Sequence, residues 1–348
     1  MIPRPPDPDR QWVDRPPASL VAEDGRPITV VHLAAEYYPY SRTGGLAEAA
    51  NGLAKFQAFA GARTRAIVPL HRSARAAAGE LEPVGEPFTV EMGPRTETVR
   101  LLRKVHPAER SRVHFIEHDG FYDRPGIYGE KGQDYPDNPH RWAFFGLAAL
   151  AALPRVADGP VLLHAHDWHT ALSLAHLRTR YAGHPWYDAI RTVLSVHNAG
   201  YQGHYPASLL PELGLPASLY NWRQLEWYGQ LNLLKAGLVF ADAAVTVSPN
   251  HAAELRTADG GFGLHDVFSW MGPRFTGILN GIDQRTWNPA TDPLLEARYS
   301  GADPTAKAAC KAEVQRLFGL TVDPTIPLFG MAARLVTQKG LDIILGRP

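Results

Sequence analysis

Apolar positions in this chain fall into short continuous runs, separated by longer segments with helical spacing. The runs at 28–33, 64–69, 112–116, 160–164, 191–197, 243–247 and 276–280 predict β-strands. Between them, Leu46, Ala49, Ala50, Leu53 and Phe56 recur at three-and-four spacing, which predicts a helix packed on one face. Residues 142–153 are apolar all round and predict a deeply buried helix. Segments 168–181, 230–240 and 250–257 also read as helices, the last opened by Pro249. Strands alternating with helices predict a parallel sheet covered on both faces, an α/β doubly wound fold. The uniformly apolar "VVHLA" and "VLLHA" suit such a sheet, whose strands are buried on both sides.

Punctuation divides the chain. Residues 1–27 are rich in proline and polar groups, lack the apolar core of a signal peptide and predict a disordered tail. The alternating pattern then runs from 28 to 322 as a first domain. "PLFGMAARLVTQKGLDIIL" reads as a fresh strand, loop and helix start, so 323–348 is expected to open a second, incomplete domain. Completing it would take roughly 150 further residues at typical domain size.

Composition narrows the classes of function. Among 348 residues, 35 lysines and arginines balance 35 aspartates and glutamates, so no net charge attracts nucleic acid or an anionic membrane. No apolar run approaches the roughly 18 residues of a membrane span. The lone Cys310 rules out an internal disulfide and suits a reducing, cytoplasmic setting, where a passive thiol is expected.

Polar residues gather where strands end. After the first strand comes "SRTGGLAEAA", with Arg42, Gly44 and Gly45 leading into a helix. Glycines permit close backbone approach, a helix start offers free N–H groups, and arginine binds phosphate in bidentate fashion. The segment therefore reads either as an anion-meeting loop or as an ordinary strand-to-helix turn. It matches neither GxGxxG nor GxxxxGK[ST]. "LLHAHDWHTALS" crowds His164, His166, Asp167 and His169. A metallohydrolase would need H-x-H-x-D-H; here Asp167 comes one position early and Trp168 stands where the acid belongs. The other readings are a polar cluster facing a cleft and, for His164, a core histidine. "SVHNAGYQGHYP" brings His197, Asn198, Tyr201 and Gln202 to a third strand end, and "GILNGID" adds Asn280 and Asp283. Arg334 and Lys339 sit in "RLVTQKG".

In order, "RTGGLAEA", "HAHDWH", "HNAGYQG", "LKAG…AD…TVSP", "NGID…W-N-P-A-T-D" and "RLVTQKGLD" resemble the bacterial glycogen synthase and plant starch synthase family, from about residue 29 to 345. The resemblance implies two Rossmann-like domains of the GT-B type facing a cleft. It also implies transfer of glucose from ADP-glucose to the non-reducing end of an α-1,4-glucan, with retention. The sugar nucleotide is then a co-substrate, and neither cofactor nor metal is expected. His197, Asp167, Arg334 and Lys339 match the catalytic positions, the last two as the pair that neutralises the nucleotide diphosphate. Arg42, Gly44, Gly45, Asn198, Tyr201, Gln202 and Asn280 match substrate-binding positions. Arg42 replaces the family's lysine and Glu48 its helix aspartate. ADP-glucose versus UDP-glucose, acceptor length and oligomeric state stay open. Two other readings compete: a glucan-binding module without turnover, and a metal-dependent hydrolase.

Overall fold

A computed structural model describes residues 20–22, 24–104, 112–284, 286–333 and 339–346. Its elements form two compact units, 1–281 and 282–348.

The first unit is built on β1 (Thr29–Leu33), α1 (Gly45–Phe59), β2 (Arg63–Pro69), β3 (Arg95–Arg103), β4 (Arg112–Glu117), α2 (Asn138–Val156), β5 (Val161–His166), α3 (Trp168–Thr179), β6 (Arg191–Val196), α4 (Leu233–Phe240), β7 (Ala243–Thr246), α5 (Pro249–Glu254) and β8 (Phe275–Gly277). Across the sheet the order is β8-β7-β6-β5-β1-β2-β4-β3. From β8 to β4 every pairing is parallel. The chain grows outward from β1 in both directions, to β2 on one side and β5 on the other. That reversal opens a crevice beyond the strands' carboxyl ends, the usual ligand position in such sheets.

An all-parallel sheet is corrected at one edge. β3 runs antiparallel to β4 and forms a hairpin with Phe88–Met92, and Glu82–Pro83 pairs beyond it. The hairpin follows from alternation: Val90 and Met92 are buried while Thr89 and Glu91 face out. A separate three-stranded patch joins His204–Pro206, Glu226–Trp227 and Gln230–Asn232. Residues 230–232, expected to be helical, are thus a strand; Asn232 then caps α4 by accepting the Lys235 N–H at 2.9 Å. The last strand stops at Gly277, so Asn280 lies past it, exposed. Val21 and Pro27, expected within the tail, pair in an isolated antiparallel bridge. The first unit ends at Gly281 and the second begins at Ile282.

α2 lies in the core. Trp142, Phe144, Phe145, Leu147 and Leu150 are at most 1% exposed. Each such side chain contributes about 1.5–3 kcal/mol by leaving water. Its neighbour α3 is buried from Trp168 through Leu177 and packs on both α2 and α4. α3 also packs on β5 and β6, from whose ends Asp167 and His197 emerge. Gly203 lets the next loop pass: its φ is +68°, and a Cβ there would stand 2.4 Å from the Trp168 ring.

The second unit contains α6 (Lys307–Leu317) and α7 (Leu341–Leu345). α6 begins inside the polar stretch that precedes the expected second domain. Cys310 Sγ donates to Ala297 O at 3.1 Å. α7 exposes Ile343, Ile344 and Leu345.

Candidate active site

β1, β5 and β6 are adjacent, so the loops after Leu33, His166 and Val196 meet at one end of the sheet. Two buried carboxylates organise them. Asp167, 7% exposed, accepts the His197 N–H at 2.7 Å and the Asn198 N–H at 3.4 Å. Its backbone stands at φ 58° and ψ −178°, a sparsely populated region that glycine alone adopts readily. The strained turn aims its carboxylate at the neighbouring loop instead of capping α3. Burial raises its pKa, and His197 with the two N–H groups partly offsets that rise.

Glu36, 3% exposed, does the same for the "RTGG" loop. It accepts the Thr43 and Gly44 N–H groups, the Thr43 hydroxyl at 2.8 Å and the Tyr128 hydroxyl. Burial and the adjacent Glu36 charge hold the Tyr128 phenol well above its usual range. Thr43 and Gly44 do not hold their N–H groups open, because Glu36 accepts both just ahead of the helix that starts at Gly45. Nor does the backbone require the glycines, since Gly44 is extended (φ −160°) and a Cβ on Gly45 would meet nothing within 4 Å. What Gly45 leaves is open space at a helix start. Beside it Arg42 is exposed, paired with Glu48 at 3.0 Å and lying over the Tyr38 ring at 5.8 Å.

Beneath the Asp167 loop lies a file of imidazoles. His164 and His166 alternate onto one face of β5, and His32 sits opposite His164 in register. His32 Nε2 pairs with Gln57 Oε1 at 2.8 Å, His32 Nδ1 with His166 Nε2 at 3.0 Å, and His166 Nδ1 with His197 Nε2 at 3.0 Å. His164 Nε2 pairs with Ser195 Oγ at 2.7 Å. Burial keeps these rings neutral: His32 is lowered to about 4, and His164 and His166 fall well below their usual value. His32, His164 and His166 are also the described group whose ring nitrogens come close enough to hold a metal. Their geometry argues otherwise. The rings stack within 30° of parallel, which turns lone pairs along the planes and not toward a common centre. Both nitrogens of His32 and of His166 are already hydrogen-bonded.

The remaining expected residues divide. Asn198 folds its own loop, its Oδ1 accepting the Gly200 N–H at 3.0 Å. Tyr201 is 49% exposed at the rim. Gln202, expected to bind substrate, is 3% exposed and saturated: its Nε2 donates to Ala199 O and Phe262 O, and its Oε1 accepts from Asn232 and His204. It is a structural brace. Lys339 is exposed in the second unit, and Arg334 lies outside the described residues. Sequence reasoning missed Glu36, Gln57, Tyr128 and the file behind His197. The parity of positions 164 and 166, with His32 in a neighbouring strand, was the available signal.

Residues 29–270 match the model of the starch synthase catalytic domain. The chain is 42% identical over 317 residues to a glycogen synthase of Syntrophotalea carbinolica, covering 91% of this chain and 65% of that protein. A glycogen synthase of Anaeromyxobacter dehalogenans is 41% identical with the same coverage. This chain therefore spans about 65% of the length of these curated relatives. Among solved structures, the catalytic domain of starch synthase IV from Arabidopsis thaliana, bound to ADP and acarbose, superposes with a TM-score of 0.80 at 32% identity, covering 92% of this chain and 65% of that one. Matching that model over more than half of its length, this chain belongs to the starch synthase catalytic domain family.

Proposed function

We propose that this chain supplies the acceptor-side half of a retaining glucosyltransferase, which moves glucose from ADP-glucose to the non-reducing end of an α-1,4-glucan in the cytoplasm. The observation that carries this reading is the Asp167–His197 pair at the sheet's switch point, in a chain of this family. Asp167 fixes the His197 backbone, so the imidazole and carbonyl of residue 197 hold their position as an oxocarbenium-like sugar forms and decays. Preorganised polar groups of this kind stabilise developing charge without reorganising. Arg42 meets the donor, and the open space beside Gly45 admits it. Arg334 and Lys339 offset the charge that grows on the departing nucleoside diphosphate. The reaction needs no metal and no cofactor.

The test joins this chain to the second domain of a glycogen synthase and measures nucleotide release and glycogen elongation. Elongation with ADP-glucose, retained after chelation and lost in His197→Ala, is expected. A folded fusion that binds maltooligosaccharide yet transfers glucose from neither ADP-glucose nor UDP-glucose overturns the reading in favour of a binding module. About one zinc or manganese per chain, lost in His166→Ala, overturns it in favour of a hydrolase.

A further inference from the structure

A neutral imidazole carries one N–H and one bare nitrogen, so it donates on one side and accepts on the other. Three imidazoles in file must therefore all run in the same direction. The contacts Gln57–His32, His32–His166 and His166–His197 are 2.8, 3.0 and 3.0 Å, so each holds one shared proton and none is a chance approach. Burial keeps His32 and His166 neutral, which gives the rule its force. The direction of the file is then set at its far end. Gln57 Oε1 can only accept, so His32 carries its proton on Nε2 and turns a bare Nδ1 to His166. His166 repeats the pattern toward His197.

We propose that Gln57, on the α1 face over the sheet, is a positioning residue that fixes the tautomer of His197 through His32 and His166, placing its proton on Nε2 and leaving Nδ1 bare. His197 then enters the reaction as a hydrogen-bond acceptor at Nδ1, and its ring is held in plane from behind. The same geometry gives His32 and His166 their purpose: they carry orientation from a helix to the site across three strands. Gln57 shares α1 with Glu48 and Lys55, and α1 begins at the "RTGG" loop, so one helix links both loops of the site. The consequence for catalysis rests on the proposed glucosyl transfer; the tautomer itself does not.

The experiment labels the histidines of this chain with nitrogen-15 and reads the imidazole nitrogens by long-range proton–nitrogen correlation, with His197 identified by its loss in His197→Gln. The expected spectrum has His197 protonated on Nε2 and bare at Nδ1. Gln57→Glu, which also only accepts, keeps that signature. Gln57→Leu removes the anchor, and the His197 nitrogens move toward values averaged over both tautomers. A proton on Nδ1 in the unaltered chain overturns the proposal, as does an unchanged His197 signature in folded Gln57→Leu. Should Gln57→Leu not fold, the unaltered chain and Gln57→Glu decide alone, the latter overturning the proposal if its His197 proton sits on Nδ1. If the tautomer is as stated but the fused enzyme transfers no glucose, the functional reading fails and this inference stands.

Discussion

The "RTGG" loop and the loop at His197 solve one problem with opposite outcomes. Each follows a core strand, and each is pinned by a buried carboxylate that accepts two successive backbone N–H groups: Glu36 for Thr43 and Gly44, Asp167 for His197 and Asn198. Beyond the pin they diverge. The first ends in an exposed arginine and open space. The second ends in an imidazole backed by two more imidazoles and an amide. One loop joins a pinned base to an exposed tip, where Arg42 pairs with Glu48. The other is hydrogen-bonded both at its backbone and behind its ring.

Acid should separate the two loops most. His32 and His114 are lowered to about 4 by burial, and His71, His169 and His176 to about 3. The unfolded chain takes up these protons near pH 6.5 while the folded chain does not. Stability from these groups is therefore complete above pH 6.5 and is lost as pH falls toward the folded values. The loss is roughly 2 kcal/mol per residue at pH 5, a sum comparable with the whole stability of a typical domain. Melting temperature measured from neutral pH down to about pH 4 should fall steeply. A flat profile through that window would mean that these five imidazoles take up protons as readily in the folded chain as in the unfolded one.

Asp167→Ala comes next. It takes from the His197 and Asn198 N–H groups the carboxylate they donate to, at about 1–3 kcal/mol each. A loss of about 2–6 kcal/mol on urea unfolding is expected. Asp167→Asn keeps an acceptor, so it should cost about 1–2 kcal/mol. Equal losses for the two would show that charge alone, and not the two N–H bonds, makes the pin.

Glu36 tests the other loop. Glu36→Gln presents an NH2 where four donors converge, so about 1–3 kcal/mol is expected. Tyr128→Phe removes one donor and leaves the N–H groups paired, costing about 0.5–1.5 kcal/mol. If Tyr128→Phe proved the worse, Tyr128 rather than Glu36 would be the anchor.

How much of this was legible in the chain follows from distance along it. Asp167 and His197 announce themselves because polar residues interrupt apolar runs at strand ends, and the parallel order of the central strands followed from those runs. Glu36 did not, because its partners Thr43 and Tyr128 lie 7 and 92 positions away, and a lone acid after "HLAA" reads as surface. Gln57 looks like an ordinary solvated position of an amphipathic helix; only the packing of α1 over β1 brings it to His32. Gln202 misled in the reverse sense. Its place among strand-end glycines suggests a ligand, but the partners that saturate it, Asn232 and Phe262, come from segments that only the fold brings near. The antiparallel hairpin at the sheet edge was readable in the alternation from Phe88 to Met92, turning at Gly93, a two-residue period easily passed over beside stronger helical signals.

Arg42 should give the smallest change in stability and so sharpen the contrast most. Its side chain is 61% exposed and its partner Glu48 46% exposed, so the pair is well solvated. Exposed pairs of this kind contribute about 0–1 kcal/mol. Arg42→Ala should leave the melting temperature nearly unchanged, because the base of its loop is held by Glu36 and needs nothing from the tip. If the tip exists to meet a sugar nucleotide, use of the donor in the fused enzyme should weaken by about 1.5–3 kcal/mol, roughly ten- to a hundredfold, as for one charge-assisted bond. Arg42→Lys should restore much of that while lacking the bidentate fork. The same substitution would then be silent in unfolding and loud in kinetics, the reverse of what Gln202→Ala should show. An Arg42→Ala enzyme with unaltered donor kinetics would return the arginine to the solvent-facing surface and leave the open space at Gly45 as the loop's sole contribution.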